Sequence, residues 1–315
     1  MNNAGPRITP CRERCAVPSA YAVVLVLLFV CLWPAPAGAE EVRILAPASA
    51  GTGEAVLVVA EAPQARNFVF VWRGRTLTVP AVTDPEPDAN AARSRARWRA
   101  SARILLPVPL DEKEPRLSVR VSVEGMPPVE HVIRIVQKQY PVQELKVDRA
   151  YVDPPPAVHA RIAEESRRVR ELLGTFSPRR HWQLPMQRPV PGEVSSAFGL
   201  RRVLNGQPRS RHTGLDLRGA EGTPIRAMAD GTVVLAEELY FSGNVVYLDH
   251  GLGLLSMYAH MSAIDVRPGR QVSAGQTLGK VGATGRVTGP HLHLGCYALG
   301  KAVDPAALLE IKTQP

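Results

Sequence analysis

Leu117-Ser118-Val119-Arg120-Val121-Ser122-Val123-Glu124 alternates apolar and polar residues without a break. An extended chain points successive side chains to opposite faces, so this stretch reads as a strand with one buried and one wet side. Runs of the same kind surround it: Val42–Leu45, Val56–Ala60, Phe68–Trp72 with Thr76–Val79, Trp98–Leu106 and Val132–Val136, separated by Pro and Gly. Six or seven such strands in ~100 residues predict a β-sandwich, immunoglobulin-like in pattern, over residues 40–138. Asp84 to Ala92 breaks the pattern and is expected to be a mobile loop. His131 stands alone on a strand and is read as a surface residue.

Upstream, the first 39 residues follow a different rule. Arg7, Arg12 and Arg14 form a basic start, Ala20 to Trp33 is almost wholly apolar, and Ala37-Gly38-Ala39 offers small residues for cleavage. This is a secretory signal, with cleavage expected after Ala39. The apolar run is short of the ~20 residues that cross a bilayer, which disfavours a retained anchor. Cys11, Cys15 and Cys31 lie in that segment, so Cys296 alone stays in the mature chain. No internal disulfide is expected, despite an oxidising destination in the periplasm or cell envelope. The formal net charge is +9, and the signal removes three arginines and Glu13. A basic exported protein suits anionic envelope surfaces. There is no nucleic-acid motif, and export argues against such a partner.

Downstream, Pro154-Pro155-Pro156 stops the extended chain. Val158, Ile162, Val169, Leu172 and Leu173 then fall on one stripe opposite Glu and Arg, which predicts one connecting helix ended by Gly174 and Pro178. Residues 139–188 are therefore read as a linker with one helix.

From about residue 189 to 310 glycine becomes frequent and short β runs return. Ala229-Asp230-Gly231-Thr232-Val233-Val234 reads as a turn into a strand, and Val266 to Gly269 and Val272 to Gly279 repeat the theme. The expectation is an antiparallel β domain with almost no helix, and all candidate chemistry lies inside it. Two motifs stand out: His212-Thr213-Gly214-Leu215-Asp216, and His291-Leu292-His293 about eighty residues later. Two imidazoles and a carboxylate are what a catalytic zinc takes from a protein, with the fourth position left to water. His291 and His293 share one face of a strand, so one can bind a metal while the other reaches its water. His212 and Asp216 would stand ~13 Å apart on a straight strand. They can share an ion only if the chain bends at Gly214, a conformational freedom ascribed to glycine. Cys296 has the opposite parity to the histidines and should point into the core. His250, between Asp249 and Gly251, is read as structural or exposed, whereas His260 ends a strand-like run within reach of the site.

With these pieces in hand, the segment from Ser195 to Pro305 resembles the lysostaphin-like zinc metalloendopeptidases of peptidoglycan. The resemblance is carried by Ser196-Ala197-Phe198-Gly199 with Arg201-Arg202, His212 to Asp216, Gly222-Thr223-Pro224, Gly243-Asn244-Val245-Val246, Asp249-His250-Gly251, Tyr258-Ala259-His260 and Gly282 to His293. It implies that His212, Asp216 and His293 bind one zinc ion, and that His260 and His291 are the catalytic histidines. Tyr240 falls near a tyrosine that some members use at the transition state. Arg202 and Arg211 become candidates to meet acidic substrate groups. The implied function is an exported endopeptidase cutting peptidoglycan stem peptides or cross-links.

Three other readings compete with this one. A cupin needs a glutamate after its His-x-His, but Tyr297 and Ala298 stand there. A biotinyl or lipoyl carrier needs a lysine at a hairpin tip, and Ala229-Asp230-Gly231 has none. The serious rival is a non-catalytic relative that binds peptidoglycan and activates a cell-wall amidase as a regulatory partner. Such relatives have lost zinc ligands, whereas every ligand is present here.

Overall fold

The computed structural model describes residues 41–83 and 99–310. The signal segment and the loop Asp84 to Ala92 lie outside the described residues. The sandwich is present. One sheet orders its strands as Ser49–Gly51, Val129–Val136, Arg116–Ser122, Asn67–Trp72 and Arg75–Pro80. The other runs Arg43–Leu45, Ala55–Pro63, Arg99–Pro107 and Val82–Thr83. The alternation in the Arg116–Ser122 strand decides its facing: Val119 and Val121 are fully buried and pair with His131 and Val129. Across the core, Phe68, Phe70 and Trp72 meet Val58, Ala60, Ile104 and Leu106. The Trp72 indole donates to the Pro107 carbonyl at 3.1 Å, so the largest core side chain also ties the two sheets.

At its Ala55 and Leu105 end the second sheet is buried on both faces. Ile104 and Leu106 look into the sandwich, while Leu105 and Ala55 join the C-terminal core with Leu292, Leu294 and Val303. In return Leu252 and Leu299 of the C-terminal region enter the sandwich core. Arg75 donates to the Leu299 carbonyl at 2.7 Å, and Asp304 N–H to the Gly53 carbonyl at 2.8 Å. The described residues thus form one compact unit.

In the C-terminal region a ten-stranded sheet carries the path Val194–Ser196, Leu215–Arg218, His291–Ala298, Leu254–Ile264, Gly243–Asp249, Gly231–Leu239 and Gln271–Val272, with every pair antiparallel. The connecting helix runs His159–Leu173. Val169, Leu172 and Leu173 of its predicted stripe lie on Leu235, Val245, Tyr247 and Met257 of this sheet. Buried Glu165 fastens the helix by accepting from Arg161 at 2.6 Å and from the Tyr240 N–H at 2.8 Å. The linker holds more than the one helix expected of it, including 3-10 turns at Arg149–Tyr151 and Pro156–Val158. Val142–Leu145 is a strand, paired in parallel with Arg201–Leu204.

His250 is fully buried, which resolves its reading in favour of a structural role. It stands 2.6 Å from the Asp230 carbonyl and 2.7 Å from Ser256 Oγ. Ser256 in turn bonds the Tyr258 hydroxyl, which accepts from the Met228 N–H. The arrangement that gives each group one donor and one acceptor has His250 Nδ1–H donating to the carbonyl and Nε2 accepting from Ser256. Burial pushes the His250 pKa down, against the smaller opposing pull of the Asp230 carbonyl.

Two expectations follow. A folded pKa below the unfolded value means that the unfolded chain takes up a proton first. The stability contributed by His250 is therefore complete above pH ~6.5 and is lost as pH falls, at up to ~1.4 kcal/mol per unit. Urea titrations from pH 7.5 to 5 should show a shallower acid loss in His250→Gln than in the wild type, and parallel curves would contradict this. Leu105→Ala should cost about 2–5 kcal/mol and still give a single transition seen by all probes. Two separated transitions would show that the shared core does not couple the regions.

Candidate metal centre

Asp216 and His293 are direct cross-strand partners in the antiparallel pairing of Leu215–Arg218 with His291–Ala298. Such pairs bring side chains on one face to about 5 Å. His212 arrives from the preceding loop, where its N–H bonds the Leu200 carbonyl and its carbonyl accepts from Gly199. The chain then bends at Gly214. The bend was expected, but its reason differs from the expectation. Gly214 is absent from the left-handed backbone positions, and a Cβ there would meet His293 Cε1 and Nε2 at 2.5 Å. Glycine is required because the His293 ring occupies that space.

Three ligand atoms form a triangle. His212 Nε2 lies 3.0 Å from Asp216 Oδ1 and 3.1 Å from His293 Nδ1, which is itself 2.7 Å from Asp216 Oδ1. All three residues are buried. A point ~2.0–2.1 Å from each corner exists above so small a triangle, so the donor set fits zinc. Burial alone would raise the Asp216 pKa. The adjoining His212 and His293 imidazoles outweigh it and hold the carboxyl well below the usual carboxylate range. Arg202 donates to its other oxygen at 2.9 Å. His293 is pushed down by burial, against the opposing pull of Asp216.

His260 and His291 stand beside this triangle, their rings 5.0 Å apart and His260 5.8 Å from the His293 ring. His260 does not end its strand, as the sequence reading had it: Leu254–Ile264 continues past it. It occupies an irregularity where Asn244 pairs with Met261 and Val246 with Tyr258. Its φ of 65° is a left-handed value that a residue with a side chain rarely adopts. The imidazole leaves the strand's normal alternation and turns toward the metal ligands. Burial, with His293 and His291 close by, pushes its pKa down to about 3.

One feature had no signal in the sequence. His212 Nδ1 is 2.7 Å from the Ala197 carbonyl, His260 Nδ1 2.8 Å from that of Thr284, and His291 Nδ1 2.8 Å from that of Gly289. A carbonyl only accepts, so each Nδ1 carries the proton and Nε2 is left for chemistry. The Thr284 carbonyl is held by close backbone packing. A Cβ on Gly243 would come within 2.2 Å of Thr284 Oγ1, and that hydroxyl bonds the Met261 carbonyl at 2.8 Å.

Tyr240 is differently placed. Its hydroxyl donates to the Ala150 carbonyl at 2.9 Å and its ring leans on Tyr151, while Phe241 and Ser242 line the cavity beside the histidines. The linker strand also reaches the site. Gln143 accepts from Ser196, Asn205 clamps both backbone groups of Val147, and Leu145 and Val147 line a space of about 40 Å³ with Asp216, His260 and His291.

A β domain with this His-Asp-His centre and a flanking imidazole pair has the design of a metallopeptidase. The profile of Peptidase family M23 matches residues 210–305. A crystal structure assigned to peptidase M23 from Pseudomonas aeruginosa is 30% identical, covers 80% of this chain and 92% of its own, and superposes with a TM-score of 0.58. The chain belongs to peptidase family M23. The DD-carboxypeptidase/endopeptidase Mpg of Neisseria meningitidis is 39% identical over 115 residues, covering 36% of this chain and 26% of Mpg. The peptidoglycan DD-endopeptidase ShyA of Vibrio cholerae is 40% identical over 112 residues, covering 35% of this chain and 26% of ShyA. The chain thus matches about a quarter of the length of these curated relatives.

Because the His293 ring fills the space over Gly214, Gly214→Ala should displace that ring and weaken zinc binding by roughly tenfold or more, as loss of ligand support does elsewhere. Competition titration against a chromogenic chelator measures it, and an unchanged affinity would refute the steric account.

Proposed function

We propose that this chain is an exported, zinc-dependent endopeptidase that hydrolyses peptide bonds in peptidoglycan stem peptides or cross-links. In this reading residues 1–39 are a signal peptide, 40–138 the sandwich, 139–188 the linker and 189–310 the peptidase region, working in the periplasm or cell envelope. The observation that carries it is the His212-Asp216-His293 triangle flanked by two imidazoles whose Nδ1 atoms are spent on backbone carbonyls. The names of ShyA and Mpg make D,D bonds the first substrates to test.

His212 Nε2, Asp216 Oδ1 and His293 Nδ1 would hold one zinc ion. Bound there, zinc supplies Lewis acidity and lowers the pKa of water from ~15.7 towards ~7. His260, kept unprotonated by burial, accepts a proton at Nε2 as the nucleophile adds to the peptide carbonyl. His260 then returns that proton from Nε2 to the leaving amine, while His291 Nε2, 3.8 Å from Asp216 Oδ1, accepts a hydrogen bond from the nucleophile and orients it. The committed hydroxyl of Tyr240 leaves it outside these steps unless the linker shifts. Arg202 pairs with Asp216 and orients it.

The purified protein should contain about one zinc per chain and release new amino termini from cross-linked peptidoglycan without any partner. A chelator should stop it and added zinc restore it. His293→Ala and Asp216→Ala should lose zinc and activity together. His291→Ala should lose activity by roughly 10²–10⁴-fold while keeping zinc. Equal zinc loss in His291→Ala would reverse the roles of the pair. A protein that releases nothing, yet stimulates an amidase equally well as Asp216→Ala, would be a regulator and no enzyme.

A further inference from the structure

A cavity of about 200 Å³ shares His212, His260 and His293 with the metal centre, and its lining contains no carboxylate. It contains four arginines instead: Arg202, Arg209, Arg211 and Arg286. Two of them have their charge satisfied without a ligand. Arg209 donates to the Val152 carbonyl at 2.7 Å and faces Asp153, and Arg211 is exposed, so water solvates its guanidinium beside the Tyr140 ring. Arg202 gives one Nη to Asp216, but its Nε is buried with no partner among the described residues. Arg286 is half-buried and lies 4.8 Å over the Phe241 ring, with its backbone N–H bonded to the Phe241 carbonyl. Among the described residues no carboxylate or carbonyl accepts from the Arg286 guanidinium.

Such a pair is costly without an anion. Burial lowers the pKa of both guanidiniums, and Arg286 is lowered further by repulsion from Arg202 and Arg209. Phe241 backs the Arg286 guanidinium, whose planar fork of donors suits a carboxylate. The cavity borders His260 and His293 directly, so an anion seated there would lie within a residue of the bond being cut. On the acyl side of that bond the carboxyl group is consumed by the bond itself. Where the acyl-side residue is joined through its only carboxyl group, the nearest free carboxylate belongs to the residue on the amine side.

We infer that Arg286, with the positive charge of Arg202 behind it, binds the carboxylate of the amino acid that supplies the amine of the cut bond. The protein then selects cross-links and stem peptides whose amine-side residue carries a free acid over those in which it is a carboxamide. This rests on the endopeptidase reading above and names its specificity determinant. Arg286 is the position to change, because Arg202 also braces Asp216.

The test uses two synthetic cross-linked peptides that differ only in acid or carboxamide at the carbon bonded to the cut amide nitrogen. The zinc-loaded full protein should show a kcat/KM about 10- to 100-fold higher on the acid, the range expected of a charge-assisted pair. In Arg286→Gln the ratio of the two should fall close to one. Arg286→Lys, which keeps charge without the planar fork, should recover part of the preference. Zinc content in each variant separates a change in specificity from damage to the metal site. Equal cleavage of both peptides by the wild type, or a preference that survives Arg286→Gln, overturns the inference and leaves the endopeptidase reading standing. A wild-type protein that holds zinc but cuts neither peptide, and frees no amines from intact wall, brings down both.

Discussion

Everything chemical in this protein depends on one carboxylate shared by two buried imidazoles. Asp216 sits opposite His293 in the sheet and bonds both that ring and His212 within 3.0 Å. A carboxylate with so little water around it would ordinarily take up a proton. Here the two imidazoles keep it charged, Arg202 pairs with its other oxygen, and its charge keeps three nitrogen and oxygen atoms in one small triangle. The strand pairing sets the distance, the Gly214 bend lets His212 come round, and backbone carbonyls choose which ring nitrogen is offered.

The surrounding fold is organised to keep that triangle rigid. The His291–Ala298 strand lies between Leu215–Arg218 and Leu254–Ile264, so its ligand is held from both sides. Its apolar face, with Leu292 and Leu294, rests on the core that Leu105 of the sandwich completes. The sandwich is therefore a wall of the peptidase region as well as a neighbour of it. The linker adds a second wall through Val142–Leu145 and Val147, while the helix covers the opposite end of the sheet through Glu165 and Leu172.

Much of this was legible in the chain. The period-two alternation of residues 117–124 announced the sandwich because one face of that strand is buried and the other is wet. The His-x-His spacing placed both rings on one face, and the parity of Cys296 put it in the core, where it lies. What stayed hidden was long-range or steric. The strand Val142–Leu145 is too short to show a period, and it exists because Arg201–Leu204 offers it an edge. The Gly214 bend was visible, but the ring that forbids a side chain there comes from a residue about eighty positions away. His260 looked like the end of a strand because nothing local signals that a bulge will carry the strand onward. The carbonyls that assign the histidine tautomers belong to loops whose courses are set only by the assembled sheet.

One consequence concerns the backbone at residue 260. A left-handed φ is a conformation in which a side chain costs about 1 kcal/mol or more and glycine costs almost nothing. The position that supplies an imidazole is thus one where the scaffold would be more comfortable with no side chain at all. Demand for a durable fold and demand for a working cleft pull residue 260 in opposite directions. A drift of the sequence towards greater robustness at this point would be a drift away from reactivity.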